Sequence, residues 1–468
     1  MTGRWIVCAA ALALMAGPPA APAQLAIPTV VTSDAEIRKI LIERVETQRQ
    51  SIGIVVGVID SAGRRIVTYG RSGNGDGAPL DGNTVFEIGS ISKVFTSLLL
   101  ADVAVRGDVA LNDPIAKYLP RTVRVPARAR PITLQDLAMH ASGLPRMPNN
   151  MRPKDGSNPW ADYTVEQLYE FLSTYELPRD VGTTYEYSNY GAGLLGHLLA
   201  RRAGMDYEAL VRARIAAPLG MTSTGVTLSP AMRTRLAAGH DQSMQPTSNW
   251  DMPTLAGAAA LRSTANDMLT FLAAFIGYTH SPLAPAMALM LVPRRPVLEV
   301  SDVETEVALG WYVTTTNGKT IVWHSGSTGG YSSFLAFDRA GRAGVVVLSN
   351  ASTLTGPSDI GRHLLDPKIP LAQPRLRTEV PIATEVFDRY VGRYQLSPSV
   401  LLTVGREDSR FFVQVPGQPA FEIYAEAEKE FFLRWADAQL TFEVGIDGRA
   451  TAVVLHQQGR DQRAVRVE

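Results

Sequence analysis

Cysteine is almost absent from this 468-residue chain, which holds only Cys8. Cys8 lies in an N-terminal stretch with the features of a secretory signal, so the mature chain is expected to contain no thiol. A chain without thiols forms no disulfide, uses no cysteine nucleophile and binds no metal through cysteine. The sequence therefore excludes these three chemistries.

Long hydrophobic runs are lacking too. Residues 6–16 form an apolar run of 11 residues, which is too short to span a bilayer, and Ala21-Pro22-Ala23 fits a signal-peptidase site. The pattern predicts a signal peptide over residues 1–23 with cleavage before Gln24. The mature protein would then be periplasmic or extracellular, without a stable membrane anchor. An N-terminal membrane anchor is the alternative.

Neither sign of charge is in excess, because 45 basic residues balance 45 acidic ones. The chain therefore has no electrostatic footprint for nucleic acid or for an anionic membrane surface. No G-x-S-x-G sequence occurs, which argues against an α/β-hydrolase. No H-E-x-x-H occurs and the seven histidines are scattered, so we expect neither a metal nor another cofactor.

What the chain does contain is a Ser-x-x-Lys sequence at the start of a predicted helix. A short apolar run over residues 85–88 leads into Ser90, and the helix that follows should end near Gly107. Lys93 stands one turn after Ser90, on the same helix face. A desolvated lysine could accept the proton of a serine nucleophile. Taken alone, such a pair is more often a helix cap beside a surface lysine.

Two weaker motifs lie further along the chain. Tyr187-Ser188-Asn189 comes just before a predicted helix, and its ordinary interpretation is a helix cap with a buried aromatic ring. His324-Ser325-Gly326 ends a predicted strand over residues 320–324, and alone it could be a simple turn. His140 is interpreted as structural.

The order of predicted elements indicates an α/β (α+β) fold. An N-terminal hairpin and the strands after residue 309 should share one antiparallel sheet with flanking helices, while a helical lobe lies between them in sequence. This domain is predicted over residues 30–365, followed by a proline-rich linker over residues 366–386. Residues 387–468 show about eight short strands, which is typical of a small antiparallel β-barrel.

Together the three motifs make the chain resemble the serine β-lactamase and penicillin-binding-protein superfamily. The resemblance covers residues 30–365, is strongest for class C β-lactamases and related DD-peptidases and esterases, and implies the β-lactamase/transpeptidase-like fold. Phe86-Glu87-Ile88-Gly89-Ser90-Ile91-Ser92-Lys93 carries most of it. The C-terminal stretch resembles the lipocalin-like domain that some members carry.

The resemblance implies a role for each motif residue. Ser90 would be the nucleophile that forms an acyl-enzyme, and Lys93 and Tyr187 would exchange protons with it. Which of the two takes the first proton stays open. A tyrosine could act as a base only beside cations, which Lys93 and His324 would supply.

The remaining residues of the motifs would bind the substrate. Asn189 would hydrogen-bond the substrate amide, and His324, Ser325 and Gly326 would line the edge of the cleft. The backbone N–H groups of Ser90 and Ser327 would form an oxyanion hole.

One departure from the family pattern affects the predicted substrate. Class C β-lactamases usually carry Lys-Thr-Gly where this chain has His324-Ser325-Gly326, and Arg146 lies near the place where they carry a glutamine. Histidine loses its charge around neutral pH, which would weaken the binding of a substrate carboxylate. Three functions remain: a hydrolase of β-lactams or D-amino-acid amides, a carboxylesterase, and a penicillin-binding sensor with little turnover.

Overall fold

The structure is a computed structural model that describes residues 31–73, 75, 79–297, 304–353, 355–373, 377–397, 400–415, 420–433, 438–457 and 460–468. The predicted signal peptide lies outside these residues. Within the described ranges, no helix is both long enough and apolar enough to cross a membrane.

One eight-stranded antiparallel sheet organises the described residues between 31 and 365. Its strand order is β2-β1-β12-β11-β10-β9-β8-β7, so that N-terminal and C-terminal strands pair directly, as predicted. Two small two-stranded sheets, β3-β6 and β4-β5, lie outside it. The strands are β1 Gly53–Asp60, β2 Gly63–Gly70, β3 Val85–Glu87, β4 Ala127–Arg128, β5 Arg130–Pro131, β6 Arg262–Thr264, β7 Arg295–Pro296, β8 Thr305–Val307, β9 Tyr312–Thr316, β10 Lys319–Ser327, β11 Ser332–Asp338 and β12 Ala343–Ser349.

Helices cover both faces of this sheet and form the lobe beside it. Helix α10 packs on one face, α1 and α12 pack on the other, and α2 is buried in the centre of the larger core. The helices are α1 Asp34–Ile42, α2 Ser92–Val105, α3 Leu134–Ala138, α4 Val165–Thr174, α5 Asn189–Ala203, α6 Tyr207–Val211, α7 Ala217–Leu219, α8 Pro230–Arg233, α9 Ala256–Ala259, α10 Ala265–Ile276, α11 Ala284–Leu289, α12 Ser358–Leu365 and α13 Thr384–Phe387.

The C-terminal strands close into an eight-stranded antiparallel barrel, which confirms the predicted architecture. Aromatic rings fill its interior; those of Tyr390 and Phe442 stack 4.7 Å apart. A closed barrel leaves no exposed strand edge, which suits such short strands. The strands are β13 Gly392–Ser397, β14 Val400–Glu407, β15 Arg410–Gln414, β16 Phe421–Ala427, β17 Glu430–Phe432, β18 Ala438–Val444, β19 Ala450–Gln457 and β20 Arg460–Arg466.

Two differences from the sequence expectations matter for the site. Strand β10 runs on to Ser327, three residues past its predicted end at His324, because residues 324–327 keep their pairing with β11. Helix α12 was not expected. It forms because Ile360 and Leu364 bury one apolar stripe against the sheet.

Candidate active site

Ser90 lies in a short 3₁₀ turn, Gly89–Ile91, that opens directly into α2. Gly89 permits this turn in two ways. Its φ is +52°, a conformation that other residues adopt reluctantly, and a Cβ built there would lie only 2.6 Å from the backbone nitrogen of Ser327. The glycine before the serine therefore brings the start of α2 against the end of β10.

Lys93 is buried with its amine against Ser90. Its Nζ lies 2.9 Å from Ser90 Oγ, 2.8 Å from Asn189 Oδ1 and 2.8 Å from the carbonyl oxygen of Ala258. Burial lowers the pKa of Lys93 well below its usual range, and the nearby charge of Arg146 lowers it further. The neutral amine is therefore the favoured form.

The hydrogen bonds of Lys93 orient this neutral amine. A neutral amine has two N–H donors and one lone pair, and the two carbonyl-type oxygens, Asn189 Oδ1 and Ala258 O, only accept hydrogen bonds. Both donors are used on them. The lone pair is then left for the Ser90 hydroxyl, which places an acceptor in line for the serine proton.

Tyr187 completes the group from the helical lobe. Its side chain hydrogen-bonds with Ser90, and the Lys93 amine lies 4.8 Å from its ring centroid. Burial raises the pKa of Tyr187 to about 12, although the Ser90 hydrogen bond and Arg146 act to lower it. The sequence suggested that cations would favour the phenolate; in the structure burial outweighs them, so Tyr187 remains a proton donor.

His140, interpreted from sequence as structural, packs directly on Tyr187. The two ring centroids are 4.5 Å apart, and His140 Nδ1 accepts a hydrogen bond of 3.1 Å from the backbone N–H of Ser188. This bond leaves the ring proton on Nε2. Burial, and then the charge of Lys93, holds the pKa of His140 well below its usual range. In sequence the only signal was its position at the end of α3.

His324 is buried on the opposite side of the cleft. Burial is the main cause that lowers its pKa to about 3; the charge of Lys93 adds to this, and a hydrogen bond with Ser325 O opposes it. The sequence suggested a histidine that titrates around neutral pH. In the structure it is neutral over the whole working range, so it provides no cation for a substrate.

Gly326 joins β10 to the turn that carries Ser90. A Cβ at this position would lie 2.0 Å from the carbonyl oxygen of Ile88, which also accepts a 2.9 Å hydrogen bond from Ser333 Oγ. Only glycine allows the two backbones to approach so closely. The third residue of this motif therefore fixes the distance between Ser90 and the strand edge.

The backbone N–H of Ser327 points away from β11. In the hairpin, Thr328 N donates to Tyr331 O at 3.0 Å, so the next pair, Ser327 opposite Ser332, is a non-hydrogen-bonded pair. On its other side β10 is paired with β9 only as far as Trp323. The Ser327 N–H is therefore left at the strand edge, beside Gly89 and Ser90.

Asn189 opens α5 behind its N-cap, Ser188, whose Oγ accepts a 2.8 Å hydrogen bond from Gly191 N. The ordinary interpretation of Tyr187-Ser188-Asn189 as a helix cap is thus correct for Ser188. It does not exclude a catalytic site, because Tyr187 and Asn189 both contact the Ser90–Lys93 pair.

These side chains lie in one cleft of about 920 Å³. One wall is apolar and aromatic; the other carries hydroxyl groups and an arginine. The first wall contains Met147, Trp160, Trp250 and Met252, and the second contains Thr314, Thr316, Trp323 and Arg362. No cluster of metal-binding side chains occurs among the described residues.

A serine beside a buried, neutral lysine, with a tyrosine donor and a free backbone N–H nearby, defines a serine hydrolase site of the acyl-transfer type. The model of the Beta-lactamase family matches residues 37–366, and the model of a domain of unknown function, DUF3471, matches residues 376–466. The chain therefore belongs to the β-lactamase family and is a serine hydrolase of the β-lactamase/DD-peptidase type.

Individual relatives agree with this assignment. D-alanyl-D-alanine-carboxypeptidase/endopeptidase AmpH of Escherichia coli (strain K12) is 31% identical over 316 residues, which cover 65% of this chain and 80% of that protein. A β-lactamase of Pseudomonas fluorescens is 26% identical over 347 residues, 67% of this chain and 94% of the relative. The solved class C β-lactamase of Rhodobacter sphaeroides is 27% identical, with a TM-score of 0.60 over 71% of this chain and 98% of that structure.

Proposed function

We propose that this protein cleaves β-lactams or D-amino-acid amide bonds through an acyl-enzyme on Ser90. The observation that carries the proposal is the position of the Lys93 amine, whose Nζ lies 2.9 Å from Ser90 Oγ and 2.8 Å from each of Asn189 Oδ1 and the Ala258 carbonyl oxygen. Relatives named as a D-alanyl-D-alanine carboxypeptidase/endopeptidase and as β-lactamases support the substrate class.

In the acylation step, Lys93 acts as the base. Ser90 Oγ attacks the carbonyl carbon and forms a C–O bond while its proton passes to the neutral amine of Lys93. Lys93 is preferred to Tyr187 in this role, because burial depresses the pKa of the amine and raises that of the phenol. Tyr187 then donates its proton to the leaving nitrogen as the C–N bond breaks, and recovers one from Lys93.

The negative charge on the carbonyl oxygen develops beside the strand edge. The backbone N–H groups of Ser327 and Ser90 are proposed as its donors, since Gly89 and Gly326 hold the two backbones together. Asn189 positions Lys93 through Oδ1, and its amide nitrogen, which contacts Met147 Sδ at 4.0 Å, would donate its other N–H to the substrate carbonyl. In deacylation a water molecule attacks the acyl carbon while one of its protons passes to Lys93. The C–O bond to Ser90 then breaks, and Lys93 returns that proton to Ser90 Oγ.

A carboxylesterase activity is the second candidate, and the neutral state of His324 favours it. A lysine at this position would attract a carboxylate close to the scissile bond, whereas a buried histidine with a pKa of about 3 carries no charge. Esters that lack such a carboxylate need no cation at this position, so the neutral histidine does not weaken their binding. The same acyl-enzyme chemistry serves both substrate classes.

We also propose the localisation and the domain boundaries that the sequence predicts. The signal peptide over residues 1–23 would direct the protein to the periplasm or the exterior. The hydrolase domain would span residues 30–365, the linker residues 366–386, and a lipocalin-like barrel residues 387–468. The barrel is proposed to be an accessory domain.

Covalent labelling tests the proposal. A fluorophosphonate or a penicillin should add one label at Ser90, and Ser90→Ala should lose both the label and at least about 10⁴-fold of the turnover. Labelling that persists in Ser90→Ala would refute the assignment. A panel of a chromogenic cephalosporin, a D-Ala-D-Ala peptide and a short p-nitrophenyl ester ranks the substrates. Labelling without turnover of any of them would indicate a penicillin-binding sensor instead.

A further inference from the structure

A groove leads away from Ser90 over one face of the strands β9 and β10. Tyr312 pairs with Trp323 and Thr314 with Ile321, and side chains alternate along a strand, so all four point to the same face. Ser325 and Ser327 lie on this face as well. Helix α12 borders it with Arg362, and the groove is continuous with the cleft that contains Ser90.

Arg362 stands in this groove with its charge unsatisfied. Its guanidinium carbon lies 4.1 Å from the ring centroid of Trp323, and within the described part of the chain no hydrogen bond or ion pair engages its nitrogens. The nearest acidic group, Asp359, is already held by Arg44 at 2.5 Å. Arg362 is partly buried, and this burial lowers its pKa although the charge of Asp359 acts to raise it.

Such a guanidinium favours an anion from outside the chain. An arginine has five donors in a planar fork that matches a carboxylate, and stacking on an aromatic ring holds the fork in place. Because His324 is neutral and Lys319 lies at the far end of β10 from Ser327, no other cation of β10 lies near the scissile bond. Arg146, the other cleft arginine, lies with its guanidinium carbon 5.1 Å from the Tyr187 ring centroid, at the helical lobe.

The length of strand β10 indicates how far from the scissile bond the anion of a substrate must lie. Four residues of β10 separate Ser327, next to the reacting carbonyl, from Trp323, which is a distance of about 13 Å. An extended peptide covers about 3.5 Å per residue. Three residues therefore span about 10.5 Å, and a hydrogen bond of about 2.9 Å to the guanidinium covers the rest, so the group that reaches Arg362 is about three residues from the scissile bond.

The leaving part of the substrate is the part that lies in this direction. It must receive its proton from the Lys93–Tyr187 pair, and the β10 residue near that pair is His324, three positions before Ser327 in the direction of Trp323. A leaving group at that pair continues past His324 towards Trp323.

We propose that Arg362, stacked on Trp323, binds a carboxylate about three residues beyond the scissile bond of a peptide substrate, and so selects longer, acidic leaving groups. This proposal rests on the proposed acyl-transfer function. It predicts cleavage within an acidic peptide in addition to removal of a single terminal residue.

Binding to a Ser90→Ala background tests the subsite without cleavage. The probes are two N-acetylated peptides that extend three residues beyond the D-alanyl scissile bond and end in a carboxylate or in a carboxamide. By calorimetry, Ser90→Ala should bind the acid about 10- to 100-fold more tightly than the amide. Adding Arg362→Gln should reduce this ratio to about one. Adding Arg342→Gln should leave it unchanged, because Arg342 has the same kind of aromatic contact, 4.4 Å from the Tyr278 ring.

Other results would contradict either the subsite or the proposed function. An unchanged ratio in Ser90→Ala/Arg362→Gln would overturn the subsite, as would loss of the ratio on Arg146→Gln instead. Arg362→Met, whose straight apolar chain keeps the packing on Trp323, replaces the glutamine variant if that variant does not fold. Turnover of a short neutral ester by wild type and Arg342→Gln should agree within about twofold. Absence of that turnover in wild type counts against the proposed function alone, because the binding ratio does not depend on it.

Discussion

The floor of the cleft and its walls are built in different ways. Ser90, Lys93 and the edge of β10 are fixed by backbone contacts at Gly89 and Gly326 and by burial, so their positions leave little freedom. The walls carry Arg146 and Arg362, whose guanidinium groups contact an aromatic ring and have no hydrogen-bond partner among the described residues. In the proposed function this difference separates two tasks, because the rigid floor would hold the reacting groups while the charged walls would select the substrate.

The largest effect short of losing Ser90 should come from Tyr187 on the floor. Tyr187→Phe keeps the ring that packs on His140 but removes the proton donor. We expect kcat to fall about 10²- to 10⁴-fold, the usual contribution of a general acid or base, with little change in KM. The melting temperature should change little, since the aromatic packing is retained.

The control for this variant is Tyr278→Phe, which removes a phenol that donates only to the backbone oxygen of Arg342, far along the sequence from the motifs. Its turnover should equal that of wild type. If Tyr187→Phe also had wild-type turnover, the leaving group would take its proton from a residue other than Tyr187.

A second change to the floor acts through the backbone. In Gly326→Ala the added methyl would meet Ile88 O at 2.0 Å, so the end of β10 must move away from Ser90. We expect a loss of about 1–3 kcal/mol in the free energy of unfolding, as for other overpacked sites, and a clear drop in kcat. Thermal unfolding and ester turnover measure the two effects.

Gly405→Ala in strand β14 is the matched control, because a Cβ there would meet no atom within 4 Å. That variant should unfold like wild type and keep full turnover. If Gly326→Ala behaved in the same way, the close approach of β10 to Ile88 would not be what positions the oxyanion donors, and the contrast between a rigid floor and adaptable walls would weaken.

The sequence was informative about the floor for a geometric reason. The i, i+3 spacing of Ser90 and Lys93 at a helix start places them on one face in any fold, and the structure gives a distance of 2.9 Å. Protonation states were not predictable in this way. The pKa values of Tyr187 and His324 depend on burial by residues distant in sequence. Burial raises the first, whose role the sequence left open, and lowers the second far below the neutral range expected for it.

The walls were the least predictable part. Arg362 lies on helix α12, whose eight residues form an apolar stripe too short to predict a helix from sequence alone. Arg146 was noticed as a departure from the family pattern. Its contact with Tyr187 could not be anticipated, because it depends on where residues of two different segments meet in space.

The smallest effect is expected from a substitution of Arg146, the wall arginine that contacts Tyr187. Arg146 lowers the pKa of Lys93, although burial is the larger cause. In Arg146→Gln the pKa of Lys93 should therefore rise. Because Lys93 must be neutral to accept the Ser90 proton, the acidic limb of the pH profile of kcat/KM for a neutral ester should move to higher pH, while the plateau above it stays the same.

Arg152→Gln, which removes an exposed arginine that bonds only to backbone oxygens of Asn149 and Met151, is the control and should leave the profile in place. Added salt should shrink the shift caused by Arg146→Gln, since Arg146 is exposed and its field is screened. A shift of the acidic limb that is the same at every salt concentration would mean that the substitution displaced the Lys93 side chain. An acidic limb that does not move would mean that burial alone sets the state of the base, and that the wall acts on the substrate without tuning the floor.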